Sequence, residues 1–310
     1  MVSSASPTAV TRHRHTTWSA AGLVGVKGAT RVSLVVPARD EAATVGGIVA
    51  ALREALVDTV PLLDELLVID SDSTDETARV AREAGATVYA AGGIRPDLGS
   101  GRGKGEALWK SLFVTTGDVL VFIDADLVEW GPHFVVGLLG PLLTDPDVQL
   151  VKAAYDRPMV DAAGRVEEVG GRVTELVARP LLALHRPTLG DLVQPLAGEW
   201  AVRRSAVERL QMPRGYGVEI AALLDIEEEY GAAGIAEVDL GKRTHRHHRH
   251  DALGPMALQV LAAVRKRAEP APVPEADIVL RRFERRPDGF VPRDVAVDVA
   301  ERPPAREVAR

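Results

Sequence analysis

The first half of this chain alternates short, almost wholly apolar runs with stretches of helical spacing, and that alternation is its strongest constraint. Arg31–Pro37 (RVSLVVP), Glu65–Asp70 (ELLVID), Thr87–Ala90 and Asp118–Ile123 (DVLVFI) read as strands. Between them, Thr44–Val57 carries apolar residues at helical intervals. Ser73-Thr74-Asp75-Glu76 has the form of a capping box, opening a helix that stops at Gly85, and Glu106–Thr116 reads as a further helix. Strands that are apolar on both faces and separated by helices belong in a parallel sheet covered on both sides. The expected fold class is α/β, a Rossmann-like, mainly parallel sheet with helices on both faces.

In such sheets ligands bind outside the carboxyl ends of the strands. Those ends read Pro37-Ala38-Arg39-Asp40-Glu41, Asp70-Ser71-Asp72-Ser73, the glycine-rich loop Gly92–Gly105, and Asp124-Ala125-Asp126. Two nucleotide motifs are discounted here. A dinucleotide fold needs G-x-G-x-x-G directly after its first strand, where this chain has Pro-Ala-Arg-Asp-Glu. A P-loop needs Ser or Thr after its Gly-Lys pair, where Gly105 stands. Asp124-x-Asp126 at the end of an apolar strand is the sharper signal. Alternate residues of an extended segment point the same way, so both carboxylates can face one divalent cation. Mg²⁺ is typically held by one or two carboxylates plus substrate phosphates. The group Asp70, Ser71, Asp72 and Asp75 serves as helix capping, as a hold on a ribose or base, or as both. Arg102 and Lys104 sit on a loop whose glycines let backbone approach a ligand, and Lys104 suits a phosphate.

The second half is less regular. Val148–Tyr155 and Ile235–Leu240 read as strands, Arg172–His185 as a helix interrupted at Pro180, and Val218–Tyr230 and Leu253–Arg267 as helices. Lys242–His250 (KRTHRHHRH) packs four of the eight histidines with four fixed cations. It is a solvated charge run, a transition-metal site or an anion-binding stretch, and one of its histidines could complete a metal site begun by the Asp124/Asp126 pair. The chain from Pro270 is rich in proline and charge and reads as a surface-draped or mobile arm.

Composition removes other classes. Lys plus Arg number 37 against 44 Asp plus Glu, a net charge of −7, which argues against a nucleic-acid partner. The absence of cysteine excludes a disulfide scaffold, a thiolate nucleophile and Cys-ligated metal, and suits a reducing cytoplasm. The most apolar stretch, Trp130–Thr144, contains two prolines and a histidine. It is shorter than the roughly 20 residues of a spanning helix. The expectation is a cytoplasmic protein without a membrane span.

Along residues 18–265, in order, the segments VVPARDEA, VIDSDSTDET, GSGRGKGEALWKSL, VLVFIDADL, GGRVTELVARPLL, QPLAGEW, GYGVEIAALLD and VDLGKRTHRHH resemble the actinobacterial glucosyl-3-phosphoglycerate synthases. The mannosyl-3-phosphoglycerate synthases share most of this pattern. The resemblance implies a retaining, metal-dependent GT-A glycosyltransferase with a C-terminal acceptor-binding region. Such an enzyme moves glucose from UDP-glucose to D-3-phosphoglycerate, in methylglucose lipopolysaccharide synthesis, with Mg²⁺ or Mn²⁺ as cofactor and as a homodimer. Carried over by position, Pro37, Ala38, Glu41, Ser71, Lys104, Asp124 and Ala125 bind the donor. Asp126 and His245 hold the metal, and Arg172, Thr174 and His247 bind the acceptor. Glu219 is the carboxylate near the transferred sugar, and Asp126, Glu219 and Lys104 form the catalytic set. Asp40 and His247 both stand where relatives usually carry Asn. The expected organisation is a flexible tail over 1–15, a nucleotide-sugar half over 16–155, an acceptor half over 156–268 and a Pro-rich arm over 269–310. The alternatives are GDP-mannose as donor, a nucleotidyltransferase, and a non-enzymatic metal-binding protein built on the histidine run.

Overall fold

The computed structural model of the chain describes residues 9–156, 159–160, 166–167, 171–245, 253–268, 278–286 and 289–308. Its centre is one eight-stranded sheet built from β1 (Thr11–Arg14), β2 (Val32–Ala38), β3 (Glu65–Asp70), β4 (Thr87–Ala90), β5 (Val119–Phe122), β6 (Leu150–Asp156), β7 (Trp200–Arg203) and β8 (Ile235–Lys242). In space the strands run β1-β8-β6-β7-β5-β2-β3-β4. Every neighbouring pair is parallel except those of β7, which lies antiparallel between β6 and β5. The expected mainly parallel sheet forms, with one reversed strand that apolar patterning does not announce.

Alternation within the central strands shows why both faces are covered. Val32, Leu34 and Val36 of β2 enter one core with Ile48 and Leu52 of the helix Val45–Arg53. Val35 enters the other core with Leu108 and Trp109 of the helix Lys104–Ser111. In β5, Val119 and Val121 join the first core, Leu120 and Phe122 the second. These strand side chains are fully buried. Each contributes about 1.5–3 kcal/mol of burial, so both faces drive the sheet together.

Four expectations change. Thr11–Arg14 is not tail but the edge strand β1, with Thr11 opposite Ala236 of β8. The capping box does not form. The helix Thr77–Glu83 starts after Glu76 without a side-chain cap there, and the Ser73 hydroxyl instead accepts the Asp40 N–H across the loops. A π-helical stretch, Thr174–Ala178, precedes the α-helix Arg179–His185. Pro180 has no N–H to donate and its ring crowds the carbonyl four residues back, so the turn before it widens. The described residues of the C-terminal arm include paired strands. Ile278–Arg286 and Gly289–Val297 pair as an antiparallel hairpin, and Glu301–Arg302 pairs with Met212–Pro213. Among the described residues no helix is long and apolar enough to cross a membrane.

Candidate active site

The strands β2, β3 and β5 end side by side, so their loops converge. Ala38 lies opposite Asp70, and the Ser71 N–H donates to the Ala38 carbonyl (2.9 Å). The first two loops are laced together. Asp40 N–H donates to Ser73 Oγ (2.9 Å), Thr74 N–H to Asp40 Oδ1 (2.7 Å), Glu41 N–H to Thr77 Oγ1 (2.8 Å) and Ala42 N–H to Asp75 Oδ2 (3.1 Å). Asp40 takes a left-handed backbone (φ 55°), which Asp and Asn reach more readily than other side chains. The oxygen it offers Thr74 is one that Asn also carries, so either residue closes the loop. Ala38 is buried, while Pro37, Glu41 and Ser71 are half-buried around the cleft. Asp70 is buried, and its Oδ1 has no hydrogen-bond partner among the described residues. A buried carboxylate oxygen in that state costs free energy until a donor arrives, so it is a ready acceptor for an N–H or hydroxyl of a ligand.

After β5 the chain turns at Ala125-Asp126 instead of continuing extended. Both carboxylates nevertheless meet one cation, the guanidinium of Arg243. Its Nη2 lies 2.9 Å from Asp124 Oδ2, 3.8 Å from Asp126 Oδ1 and 2.9 Å from Glu199 Oε1. The Tyr155 hydroxyl donates to Glu199 Oε2 (2.8 Å) and accepts from Arg243 Nη1 (3.1 Å). Lys104, the first residue of its helix, binds the other oxygen of Asp124, Glu219 Oε1 (3.0 Å) and the Gly198 carbonyl (3.3 Å). A Cβ on Gly198 would collide with the Asp124 carboxylate and with Lys104 Nζ, so a larger residue there would displace both side chains.

The charges are buried and hold one another. Burial works against the Lys104 ammonium, but Asp124, Glu219 and Glu199 more than offset it and hold its pKa above the ordinary lysine range. Arg243 is raised in the same way, burial being outweighed by Glu199, Tyr155 and the two aspartates. Burial pushes the Glu199 carboxyl up, and the pull of Arg243 only partly restores it. Lys152 of β6 is fully buried and has no carboxylate within ion-pair distance among the described residues. Its Nζ donates to the Ala197 carbonyl (2.6 Å), and burial lowers it to about 8.

The structure brings Lys104, Asp124, Asp126 and Glu219 together. Thr244–His245 pairs with Leu127–Glu129, with His245 opposite Leu127, so its backbone runs beside Asp126. Among the described residues no three His, Cys, Asp or Glu side chains gather as a metal cage. A carboxylate is still a donor that Mg²⁺ or Mn²⁺ accepts once phosphates complete the shell, so Asp126 suits such an ion. Ala125 is buried between the two aspartates. Half-buried Arg172 and buried Thr174 open the helical segment that ends at His185. Arg179 of that segment donates to the carbonyls of Leu192 (3.1 Å) and Val193 (2.6 Å), tying it to the stretch that leads into Glu199. Arg102 is exposed, and His247 lies outside the described residues.

Sequence reasoning missed Tyr155, Lys152, Glu199 and Arg243. Arg243 sits in a run read as solvated, metal-binding or anion-binding, yet it is only 1% exposed. It is the first residue past β8, a strand end like those searched in the first half. Glu199 precedes a strand, beyond the reach of the strand-end rule. Because β7 runs backwards, its first residue, Trp200, lies opposite both Phe122, the last residue of β5, and Lys152 within β6.

Residues 33–210 match the model of Glycosyl transferase family 2. Over 287 residues, 93% of this chain and 93% of the relative, the sequence is 44% identical to the glucosyl-3-phosphoglycerate synthase of Mycolicibacterium smegmatis. The chain belongs to the glucosyl-3-phosphoglycerate synthase family. The Petrotoga mobilis glucosyl-3-phosphoglycerate synthase is 46% identical over 77% of this chain and 74% of its own length. The crystal structure of the Mycobacterium tuberculosis glucosyl-3-phosphoglycerate synthase with Mn²⁺, UDP and phosphoglyceric acid matches with a TM-score of 0.87 at 39% identity, covering 98% of this chain and 100% of that one. Another structure of that enzyme, with Mn²⁺, UDP-glucose and phosphoglyceric acid, matches with a TM-score of 0.84 at 39% identity, over 97% and 99% of the two chains.

Proposed function

We propose that this chain is a retaining hexosyltransferase that moves glucose from UDP-glucose to D-3-phosphoglycerate, forming glucosyl-3-phosphoglycerate with the help of Mg²⁺ or Mn²⁺. The observation that carries this reading is the convergence of Lys104, Asp124, Asp126 and Glu219 at the strand ends beside Asp70. It occurs in a chain 44% identical, over 93% of its length, to an enzyme of that name.

Each residue then has a task. Asp70 Oδ1 accepts a donor from the base, and Ser71, Pro37, Ala38 and Glu41 line the nucleotide. Breaking the sugar–diphosphate bond leaves a doubly charged group, and the Lys104 ammonium, kept protonated by its neighbours, stabilises that charge as it develops. Asp126 and His245 would hold the divalent cation, which supplies Lewis-acid stabilisation of the same leaving group when bound. Asp124 and Ala125 face the donor. Glu219 binds sugar hydroxyls or offsets positive charge at the anomeric carbon, and it is not assigned as a nucleophile. Arg172, Thr174 and His247 take the acceptor's phosphate and carboxylate, where charge-assisted contacts give most binding. Arg243 and Glu199 keep the two aspartates at a set spacing. The same reading makes the protein a cytoplasmic homodimer with the Asp124/Asp126 pair as its metal motif.

The test is product identification with 3-phosphoglycerate and a panel of nucleotide sugars. Formation of glucosyl-3-phosphoglycerate from UDP-glucose is expected. Turnover of GDP-mannose alone would make the enzyme a mannosyltransferase, and diphosphate release from a nucleoside triphosphate would make it a nucleotidyltransferase.

A further inference from the structure

The segment GKGEALWKSL enters the reaction only through Lys104, yet Glu106, Trp109 and Lys110 are all deeply buried. The Glu106 carboxylate, two residues past Lys104, accepts a fork from Arg302: Nε to Oε2 at 2.8 Å and Nη2 to Oε1 at 2.7 Å. It also accepts the Gly101 N–H (3.0 Å). Arg302 donates to the Leu98 carbonyl (2.7 Å), and its guanidinium lies 4.9 Å from the Trp109 ring. Trp109 Nε1 donates to the Pro303 carbonyl (2.9 Å). From the other side Lys110 Nζ donates to the carbonyls of Arg95 (2.9 Å), Gly99 (3.0 Å) and Ile94. Two buried cations and one buried carboxylate therefore hold the glycine-rich loop by its backbone.

Arg302 reaches this loop from the far end of the chain, on a segment that is itself anchored. Gln259 Nε2 donates to the Asp298 carbonyl (3.0 Å), Lys266 Nζ to the Val299 carbonyl (3.1 Å), and Arg267 pairs with Glu301 (2.8 Å). Glu301–Arg302 pairs with Met212–Pro213. The next residue, Arg214, accepts the Glu106 N–H at its carbonyl (2.8 Å), and a Cβ on Gly105 would collide with the Pro213 carbonyl. The C-terminal segment, residues 212–214 and the first turn of the Lys104 helix are thus three touching layers.

We infer that Arg302, Glu106 and Lys110 are positioning residues that aim Lys104 at the donor diphosphate, with the C-terminal segment acting as a strap over the glycine-rich loop. This rests on the reading of Lys104 as the donor-side cation. Lys104 is the first residue of its helix, so the loop before it sets its direction. A loop with glycine at 99, 101 and 103 has little preference of its own and takes its shape from outside. The Arg–Glu fork fixes a plane as well as a distance.

The test compares full-length Arg302→Met, Arg302→Lys and the double variant Arg302→Met/Glu106→Gln, with Lys104→Met as reference. Misplacement of a catalytic group by about 1 Å costs up to roughly 100-fold. Arg302→Met is therefore expected to lower kcat/KM for UDP-glucose about 10–100-fold, with the KM for 3-phosphoglycerate unchanged. Amide hydrogen exchange over residues 94–103 should also speed up. Arg302→Lys restores part of the donor kinetics. The double variant leaves no bare carboxylate, so it melts near the wild-type temperature while keeping the donor defect. Three results overturn the inference: unaltered donor kinetics in folded Arg302→Met, faster loop exchange without a donor defect, or a defect that vanishes in the double variant. Unaltered donor kinetics in Lys104→Met would instead refute the underlying reading of Lys104.

Discussion

Replacing Arg243 by Met tests whether its charge organises the site. The guanidinium is 1% exposed and lies 2.9 Å from both Asp124 and Glu199. Methionine fills comparable space without charge, so the loss is mainly electrostatic. Lys104 still contacts Asp124 and Glu219, but Asp126 and Glu199 lose the guanidinium that faces them. Removing one partner of a buried ion pair costs about 3–5 kcal/mol, because the other charge stays buried and bare. That is a large share of a folded margin of about 5–15 kcal/mol. At about 2 °C per kcal/mol for a chain of this size, Tm falls by about 6–10 °C. Glu199 reduces the cost by binding a proton: burial already raises its carboxyl, and Arg243 is the chief opposing influence. A carboxyl raised in the folded state stabilises fully below its ordinary value and loses that contribution as pH rises through the folded value. The Tm deficit of Arg243→Met therefore widens as pH rises above the ordinary carboxylate range. Adding Glu199→Gln removes this pH dependence and returns part of the loss. Scanning calorimetry across pH checks both points. A Tm within about 1 °C of wild type at every pH would refute the view that Arg243 neutralises these carboxylates.

Three further outcomes are expected. Asp126→Ala should keep its circular dichroism spectrum and lose glucosyl transfer by about 1,000-fold or more in a Mn²⁺-supplemented assay, as removal of leading charge stabilisation does. Arg172→Ala should raise the KM for 3-phosphoglycerate about 10–100-fold, the worth of a hydrogen bond to a charged group, with the UDP-glucose KM unmoved in steady-state kinetics. Lys152, lowered by burial to about 8 from an ordinary 10.5, releases its proton in the folded chain before the unfolded chain does. Wild-type stability relative to Lys152→Met should then rise between about pH 8 and 10.5, by at most about 1.4 kcal/mol per pH unit, in denaturant titrations.

The parallel core was legible in the sequence because a strand buried on both faces must be apolar throughout, as RVSLVVP and DVLVFI are. The same logic located Asp124, Asp126 and Lys104, which stand where such strands end or where the glycine-rich loop returns. Local pattern misled wherever a distant partner competed. Ser73 looks like a helix cap, yet its hydroxyl serves Asp40 33 residues away. The proline-rich arm looked like a loose appendage, yet it delivers Arg302 to Glu106 across 196 positions.

By itself, the sequence determined the layered architecture, the cleft at the strand ends and the hard-oxygen chemistry offered there, because burial and strand polarity are written locally. Only the tertiary structure decided which charges answer one another. A single reversed strand carries Glu199 into the cleft, and the end of β8 carries Arg243 beside it. A buried charge is stable only against partners that folding assembles from remote parts of the chain.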